Sequence, residues 1–183
     1  MKANGKTLFR KLALKQISKK RVHNYKKDKF ISRNLFSYIQ QSSIKDIMLF
    51  IPLKNEVNIA PLIKVLRQRG YNLYVPYMED ESFRLVKYRL PLFKKKFNIK
   101  EPRFSRKRVK SIDLAVVPVL GIDKNFKRVG FGKGMYDRFF QRESRTIKTT
   151  IFLAREIFFS SEIITDHYDI SADKLCTYSI VTL

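Results

Sequence analysis

The sequence predicts an α/β fold, in which one three-layer domain spanning residues 1–183 contains a mostly parallel, open β-sheet. Two patterns support this prediction. A strand, a helix and a second strand follow one another between residues 44 and 76, and this order implies parallel strands joined by a right-handed crossover. Further along, the apolar segment 113–119 leads through a glycine-rich loop into another helix. With 183 residues, 44% of them hydrophobic, the chain is long enough to bury a core.

Two helices are expected before the first strand, over residues 6–20 and 24–40. The second carries Ile31, Leu35 and Ile39 four residues apart, which is the spacing of a buried helix face. We therefore expect this helix to lie against the sheet.

The first strand–helix–strand unit begins with a strand expected within residues 44–53. Asn58 is a candidate N-cap for the helix that follows, and Pro61 suits its first turn. Gly70 fits the position just after the end of that helix. The next strand is expected over residues 71–76.

Four more segments are rich in apolar and β-branched residues and are predicted to be strands: 83–88, 113–119, 147–153 and 175–181. The basic segment 90–112 is predicted to be a loop with short helical pieces, and 163–173 to be a loop. Ligands of open parallel sheets bind beyond the carboxyl ends of the strands. Glu56, Lys133 and Asp173 flank predicted strand ends and are therefore candidate site residues.

The charge is extreme, with 39 Lys and Arg against 16 Asp and Glu, a net charge of +23. Such a charge attracts polyanions. A biased composition that places lysine on every exposed surface is the simpler explanation, because no nucleic-acid-binding module is visible in the sequence. The single cysteine, Cys176, excludes an internal disulfide and a cysteine-based metal cluster, and it suits a reducing cytoplasm.

No targeting or membrane segment is apparent, because no signal-peptide pattern occurs at the N-terminus and the apolar runs are too short to span a bilayer. A cytoplasmic protein without a membrane partner is expected. The two histidines, His23 and His167, lie in a predicted basic helix and a polar loop. Neither belongs to a transition-metal motif, so we interpret both as solvated surface residues.

The most informative stretch is GFGKGMYD, residues 130–137. Its alternating glycines allow a sharp turn that exposes backbone N–H groups, while Lys133 and the predicted helix N-terminus add positive potential. Asp137, in the first helical turn, is placed to hold a Mg²⁺ ion that phosphates would share. The motif is neither a P-loop, since Gly134 follows the lysine, nor the dinucleotide fingerprint. A phosphate-binding loop is favoured over a plain strand-to-helix turn.

A longer segment around this loop, VPVLGIDKNFKRVGFGKGMYDRFF at residues 117–140, resembles the signature of the 5-formyltetrahydrofolate cyclo-ligase (methenyltetrahydrofolate synthetase) family. In that signature, Val-Pro, an apolar stretch and Asp precede Arg-x-Gly-x-Gly-x-Gly-Tyr-Tyr-Asp-Arg. Other segments are similar to further family motifs: KTLFR at 6–10, NEV at 55–57, FNIKEP at 97–102 and the Asp-x-x-x-Asp segment at 169–177. The resemblance covers almost the whole chain and implies the architecture shared by ribose-5-phosphate isomerase and CoA-transferase-like proteins.

This resemblance implies an enzyme that uses ATP and Mg²⁺ to convert 5-formyltetrahydrofolate to 5,10-methenyltetrahydrofolate. ADP and phosphate are released, and the reaction passes through a phosphorylated formyl (imidate) intermediate. The implied substrates are ATP and polyglutamylated 5-formyltetrahydrofolate. The expected enzyme is a monomer, with no nucleic-acid partner beyond non-specific charge attraction.

The resemblance also assigns roles to individual residues. The implied catalytic residues, which would neutralise the transferred phosphoryl group, are Lys133, Arg128 and Arg10. The implied ATP site comprises Lys6, Arg10, Arg128, Gly130, Phe131, Gly132, Lys133, Gly134, Met135 and Tyr136. The implied folate site comprises Ile51, Glu56, Phe131, Met135 and Tyr136, with Glu56 accepting hydrogen bonds from the pterin edge. The implied Mg²⁺ ligands are Asp137 and Asp173.

Three positions depart from the family pattern. Met135 stands where the first Tyr of the Tyr-Tyr pair is common, and Phe131 stands where some members have Arg. Tyr168-Asp169 occupies the place of a His-Asp pair.

Two other functions stay open. A basic nucleic-acid- or ribosome-associated binding protein would bind polyanions in a salt-sensitive manner even without Lys133 and Asp137. A folate-binding relative without turnover would bind folate without consuming ATP.

Overall fold

A seven-stranded β-sheet forms the middle of the protein in the computed structural model, which describes residues 2–19, 24–95 and 99–183. The helices are α1 (Lys2–Lys19), α2 (Asn24–Gln40), α3 (Ala60–Gln68) and α4 (Met135–Glu143). The strands are β1 (Asp46–Met48), β2 (Asn72–Glu79), β3 (Ser82–Lys87), β4 (Phe93–Lys94), β5 (Lys100–Glu101), β6 (Ile112–Pro118), β7 (Gly121–Ile122), β8 (Arg128–Val129), β9 (Ile147–Leu153), β10 (Phe158–Phe159), β11 (Lys174–Cys176) and β12 (Ile180–Thr182).

The large sheet is mostly parallel, as the sequence predicts. Its strand order is β12-β11-β9-β6-β1-β2-β3. The five inner strands, from β11 to β2, pair in parallel, whereas β12 and β3 are antiparallel edge strands. The carboxyl ends of the parallel strands therefore meet at one edge, where ligands of open sheets bind.

Helices cover both faces of this sheet, which confirms the three-layer prediction. Alternation along β1 directs Ile47 toward one face and Met48 toward the other. The apolar faces of α2 and α3 pack on the Ile47 side, and Phe139 and Phe140 of α4 pack on the Met48 side. The sheet and the helix layer formed by α2 and α3 thus agree with the apolar patterns of their sequences.

The boundaries of α3 agree with its sequence signals. Pro61 lies in its first turn, and the side chain of Asn58 accepts a hydrogen bond from the N–H of Ala60 at 3.2 Å, although the N-cap position itself is one residue later. Gly70 has φ +82° and donates to Arg67 O at 3.1 Å. This is the left-handed residue that ends many helices.

Two segments differ from the sequence prediction. In the described part of 90–112 there is no helical piece, and β4 pairs with β5 as a short antiparallel ribbon. Pro91 and Pro102 bracket that segment and disfavour a helix. The C-terminal strand predicted over 175–181 is instead a hairpin of β11 and β12, because the polar residues 177–179 form a turn between them.

Among the described residues, no helix combines the length and apolar character required to cross a bilayer.

A small three-stranded sheet, β10-β7-β8, lies beyond the carboxyl end of β6 and leads into the glycine loop. Its turn is organised by Asp123, which is fully buried. One carboxylate oxygen accepts hydrogen bonds from the backbone N–H groups of Asn125 and Lys127, at 3.0 and 3.3 Å. The other accepts from the N–H of Ile164 and from the N–H and hydroxyl of Thr165, at 2.5 to 3.1 Å.

Burial alone would raise the pKa of Asp123, but its hydrogen bonds with Thr165, Asn125 and Lys127 together hold the pKa below its ordinary value. The ionised carboxylate thus connects the turn at residues 123–127 to the loop at residues 164–165 through hydrogen bonds.

We expect Asp123→Asn to lower the free energy of unfolding by about 2–4 kcal/mol at pH 7, because an amide cannot accept all of these bonds. Urea denaturation measures this loss. Since the folded-state pKa is depressed, the difference from wild type should hold at neutral pH and shrink below about pH 4. Glu162→Gln, an exposed acid nearby, is the control, expected to change stability by less than about 0.5 kcal/mol. Equal stabilities of wild type and Asp123→Asn would contradict this role.

Candidate active site

The glycine loop connects β8 to α4 and exposes the amino end of that helix. Gly132 and Gly134 have φ values of +109° and +64°, which strongly favour glycine. Gly134 is the N-cap residue and makes no side-chain capping hydrogen bond. No side chain therefore caps the N–H groups of the first helical turn at this position, which is the arrangement that suits an anion.

Arg128 lies under this loop. Its side chain is buried, and its Nε donates to the carbonyl oxygen of Pro118, the last residue of β6, at 3.2 Å. One guanidinium nitrogen donates to Asp137 Oδ2 at 3.3 Å. A Cβ on Gly130 would lie 2.3 Å from the guanidinium, so any other residue at that position would displace the Arg128 side chain. Arg128 is thus in contact with Gly130 at the start of the motif and with Asp137 at its end.

Asp137 has one carboxylate oxygen, Oδ1, that is buried and has no hydrogen-bond partner within the described ranges. A buried oxygen of this kind normally has a partner, and leaving it unpaired costs free energy. A hard cation that prefers oxygen ligands would satisfy it. The residue therefore fits the Mg²⁺ role implied by the family resemblance.

Helix α1 contributes two cations to the site. Lys6 is buried and forms a salt bridge with Asp169; its Nζ is also 3.6 Å from Asp166 Oδ2. Arg10 donates from Nε to the carbonyl oxygen of Gly130 at 2.9 Å. Lys6 and Arg10 therefore share a helix face and lie beside the glycine loop.

The carboxylate of Asp169 lies within electrostatic range of this cluster. Burial lowers the pKa of Arg10 below its ordinary value. The charge of Asp169 opposes this shift most strongly, Asp137 opposes it less, and the like charge of Arg128 adds to it. Asp169 is itself buried and also accepts a hydrogen bond from the N–H of Asp166 at 2.7 Å. Sequence reasoning did not assign it a role, although it belongs to the quoted C-terminal motif.

The structure does not bring Asp173 to this cluster. Its Oδ2 accepts a hydrogen bond from the N–H of Thr150 at 2.8 Å, and Thr150 lies three residues before the end of β9. At about 3.3 Å per residue, this position is about 10 Å below the carboxyl edge of the sheet. The Arg128–Asp137 pair lies at that edge, since Arg128 is bonded to Pro118. Asp173, the implied second Mg²⁺ ligand, thus accepts a backbone hydrogen bond at a position below that edge.

A cleft of about 150 Å³ lies beside the loop and opens into a groove of about 790 Å³. Nine of the predicted site residues line the cleft: Ile51, Glu56, Arg128, Phe131, Gly132, Lys133, Gly134, Met135 and Tyr136. The ring of Tyr136 lies 5.0 Å from the Arg128 guanidinium and packs edge-on against Phe83, also at 5.0 Å. All five implied folate residues and seven of the ten implied ATP residues therefore line a common space, whereas Lys6, Arg10 and Gly130 do not line it.

Sequence reasoning missed the remaining lining residues: Phe50, Leu53, Pro76, Met78, Phe83, Ile99 and Lys100. Pro76 and Met78 alternate along β2, so a common strand face was the available signal. Glu101, from the quoted FNIKEP segment, is buried and accepts a hydrogen bond from the N–H of Met78 at 3.0 Å. It fixes β5 against this wall, whereas Phe97 of the same segment lies outside the described residues.

Glu56 sits on the turn that follows β1. Its Oε2 accepts a hydrogen bond from the N–H of Leu53 at 2.8 Å, and its own N–H donates to Leu53 O at 3.0 Å. Desolvation by the surrounding walls raises the pKa of Glu56 to about 7, against the opposing effects of the Leu53 hydrogen bond and the charges of Arg128 and Arg155. The carboxyl group can therefore exist in either protonation state near neutral pH.

His167 is exposed, and its ring packs edge-on against Tyr168 at 5.2 Å. His23 lies outside the described residues. In the part of the chain that is described, no group of three or more His, Cys, Asp or Glu residues could hold a metal ion.

Residues 3–178 match the model of the 5-formyltetrahydrofolate cyclo-ligase family. The chain belongs to this family. The match spans both the glycine loop and the C-terminal segment that contains Asp169, and it confirms the resemblance deduced from the sequence motifs.

Relatives with that name match most of the chain. The 5-formyltetrahydrofolate cyclo-ligase of Mycoplasma pneumoniae is 26% identical over 173 residues, which cover 92% of either chain. That of Mus musculus is 26% identical over 160 residues, which cover 79% of either chain. The solved structure of the 5,10-methenyltetrahydrofolate synthetase of Aquifex aeolicus has a TM-score of 0.75 at 26% identity, covering 97% of this chain and 92% of its own.

We expect the stability contributed by Glu56 to fall with rising pH. Because its folded-state pKa is raised, the folded protein retains a proton that the unfolded chain loses near pH 4.3. Relative to Glu56→Gln, the free energy of unfolding of the wild type should fall by at most about 3 kcal/mol between pH 4 and pH 8.

Urea denaturation at a series of pH values measures this difference. Asn58→Ser, which changes no ionisable group, is the control and should differ from wild type by the same amount at every pH. A difference between wild type and Glu56→Gln that does not vary with pH would contradict the raised pKa.

Proposed function

We propose that the protein is a 5-formyltetrahydrofolate cyclo-ligase that uses ATP to close 5-formyltetrahydrofolate to 5,10-methenyltetrahydrofolate. Its family membership and the names of its relatives support this activity. The observation that carries the proposal is a single cleft lined by Lys133 of the glycine loop and by Glu56, with the unpaired oxygen of Asp137 behind it.

The reaction needs two group transfers. The formyl oxygen of the substrate attacks the γ-phosphorus of ATP, so that a new O–P bond forms, the bond to the β-phosphate breaks, and ADP leaves. N10 of the folate then attacks the activated carbon, a C–N bond forms, N10 loses its proton, and phosphate leaves with the former formyl oxygen. Phosphoryl transfer of this kind depends mainly on positioning and on neutralisation of charge.

The phosphate groups would be bound by the glycine loop. Backbone N–H groups at the amino end of α4 would donate to phosphate oxygens, and Lys133 would neutralise the transferred group. Arg128, which lies under the glycine loop, and Arg10, which lies on α1, would add positive charge near the phosphates. Arg128 is held by Pro118 and Asp137, so its position changes little when the nucleotide binds.

Mg²⁺ would be held by Asp137, whose buried oxygen Oδ1 suits it, together with phosphate oxygens. When bound, the ion would neutralise charge on the β- and γ-phosphates. We infer that Asp169, rather than Asp173, is the second carboxylate of this region, because it lies beside Lys6 and acts on Arg10 together with Asp137.

The folate would lie along the apolar wall of the cleft. Glu56 would accept hydrogen bonds from the N–H groups of the pterin edge, and this requires its ionised form. Ile51, Phe131, Met135 and Tyr136 would contact the ring faces. Met135 would offer a flexible apolar contact that can adjust to the shape of the ring. The family pattern often has a tyrosine at this position, so a hydrogen bond from its hydroxyl group would be absent here.

We further propose that the enzyme acts as a cytoplasmic monomer on polyglutamylated folates. The buried, unpaired Cys176 suits a reducing compartment. The net charge of +23 would attract a chain of glutamates, although the groove that continues from the cleft is lined by three acidic as well as three basic residues.

The direct test mixes purified protein with 5-formyltetrahydrofolate, ATP and Mg²⁺, and follows the methenyl product by its near-ultraviolet absorbance. We expect product formation that requires both ATP and Mg²⁺. Lys133→Ala should lower kcat/KM at least about 100-fold, because a cation at the transferred phosphoryl group is lost. Asp137→Asn should raise the Mg²⁺ concentration needed for half-maximal rate. Lys124→Ala, an exposed lysine in the preceding turn, is the matched control and should retain wild-type rates.

A folded wild-type protein that forms no product would overturn the proposal. Folate binding without ATP consumption would then identify a relative without turnover. Salt-sensitive binding of polyanions that persists in Lys133→Ala and Asp137→Asn would identify the basic binding protein instead.

A further inference from the structure

A buried arginine holds the turn that carries Glu56. Arg155 lies two residues after the end of β9, and its side chain is 13% exposed. Its guanidinium donates to the backbone carbonyl oxygen of Asn55 at 3.2 Å and to that of Glu56 at 2.6 Å. The turn after β1 is thus bonded directly to the segment after β9.

The same guanidinium is anchored on α2. Its Nε and one terminal nitrogen donate to the two carboxylate oxygens of Asp28 at 2.6 and 2.9 Å, which is a bidentate pair. Beside it, Lys27 donates to Glu156 Oε1 at 2.6 Å. Two adjacent ion pairs therefore join the start of α2 to the segment that contains Arg155.

The backbone hydrogen bond of the Glu56 N–H stays within the turn, since it ends on Leu53, and the carboxylate accepts a hydrogen bond from the same residue. These two contacts lie within the turn. Hydrogen bonds from Arg155 join Asn55 and Glu56 to the segment after β9 and, through Asp28, to α2, in addition to the burial of Val57 in the core. Arg155 does not line the cleft, but it helps to fix the backbone from which the Glu56 side chain enters the cleft.

We propose that Arg155 is a positioning residue for the folate substrate: anchored by Asp28, it fixes the Asn55–Glu56 turn so that the Glu56 carboxylate faces the cleft in one orientation. The inference rests on the proposed function, because it assigns Arg155 an effect on folate binding through Glu56. It adds α2 to the structural elements that form the folate site.

The chemistry of this contact requires arginine. The guanidinium makes four hydrogen bonds in two directions, two to a carboxylate and two to carbonyl groups. A lysine carries the same charge but has a single nitrogen with three donors, so it cannot span both partners. Arg155→Lys therefore loosens the turn while keeping the charge near Glu56.

The test is steady-state kinetics with each substrate varied in turn. Arg155→Lys should raise the KM for 5-formyltetrahydrofolate about five- to twentyfold and leave the KM for ATP within about twofold. Asp28→Asn, which keeps the arginine but weakens its anchor, should act in the same direction with a smaller effect. It also keeps the test decisive should Arg155→Lys fail to fold. Ile39→Val, a core truncation on α2, controls for general destabilisation and should leave both KM values unchanged.

A double-mutant cycle with Glu56→Gln separates positioning from a purely structural role. If Arg155 acts through Glu56, Arg155→Lys should change the folate KM by less than about twofold in the Glu56→Gln background. A change as large as in the wild-type background would overturn the proposal, as would equal effects of Arg155→Lys on the KM values of both substrates.

The pH dependence gives a second readout. The positive charge of Arg155 lowers the pKa of Glu56, so Arg155→Gln should move the pH at which the folate KM improves to a higher value, whereas Arg155→Lys should not. An identical pH profile in wild type and Arg155→Gln would contradict action through Glu56.

If the wild type itself forms no methenyl product, the proposed function and this inference both fail. If the wild type is active and only the Arg155 predictions fail, the inference alone is overturned.

Discussion

The buried pair formed by Arg128 and Asp137 is the interaction on which the site depends. It connects the carboxyl end of β6, through Pro118, to the first turn of α4, and Gly130 packs directly against the guanidinium. Removing either partner would leave a buried charge uncompensated, which is strongly destabilising. The pair also leaves one oxygen of Asp137 unpaired and places a cation beneath the amino end of the helix.

Much of the fold and of the site was predictable because both leave local patterns in the sequence. The Ile31, Leu35 and Ile39 repeat marks a helix face, and all three side chains are fully buried. The glycine motif predicts the loop, because the positive φ values of Gly132 and Gly134 strongly favour glycine. Residues that lie far apart in the sequence, such as Lys6 and Asp137, could be assigned to one site only through the family motifs, because their spacing carries no such information.

The features that were missed depend on contacts between distant parts of the chain. Asp169 and Asp173 lie four residues apart in one motif, and only their contacts with distant residues, Lys6 for Asp169 and the backbone of Thr150 for Asp173, distinguish their surroundings. The contact between Arg155 and Asp28 could not be deduced either, since 127 positions separate the two residues. Hydrogen bonds that close such long loops leave no periodic signal in the sequence.

The central claim is that the cleft brings the γ-phosphoryl group of ATP to the formyl oxygen of the folate. The most direct measurement uses 5-formyltetrahydrofolate labelled with ¹⁸O in the formyl group and follows the label by mass spectrometry during turnover. The account predicts that one ¹⁸O atom appears in each inorganic phosphate released. Methenyl product formed together with unlabelled phosphate would contradict it, because the formyl oxygen would then have left without being phosphorylated.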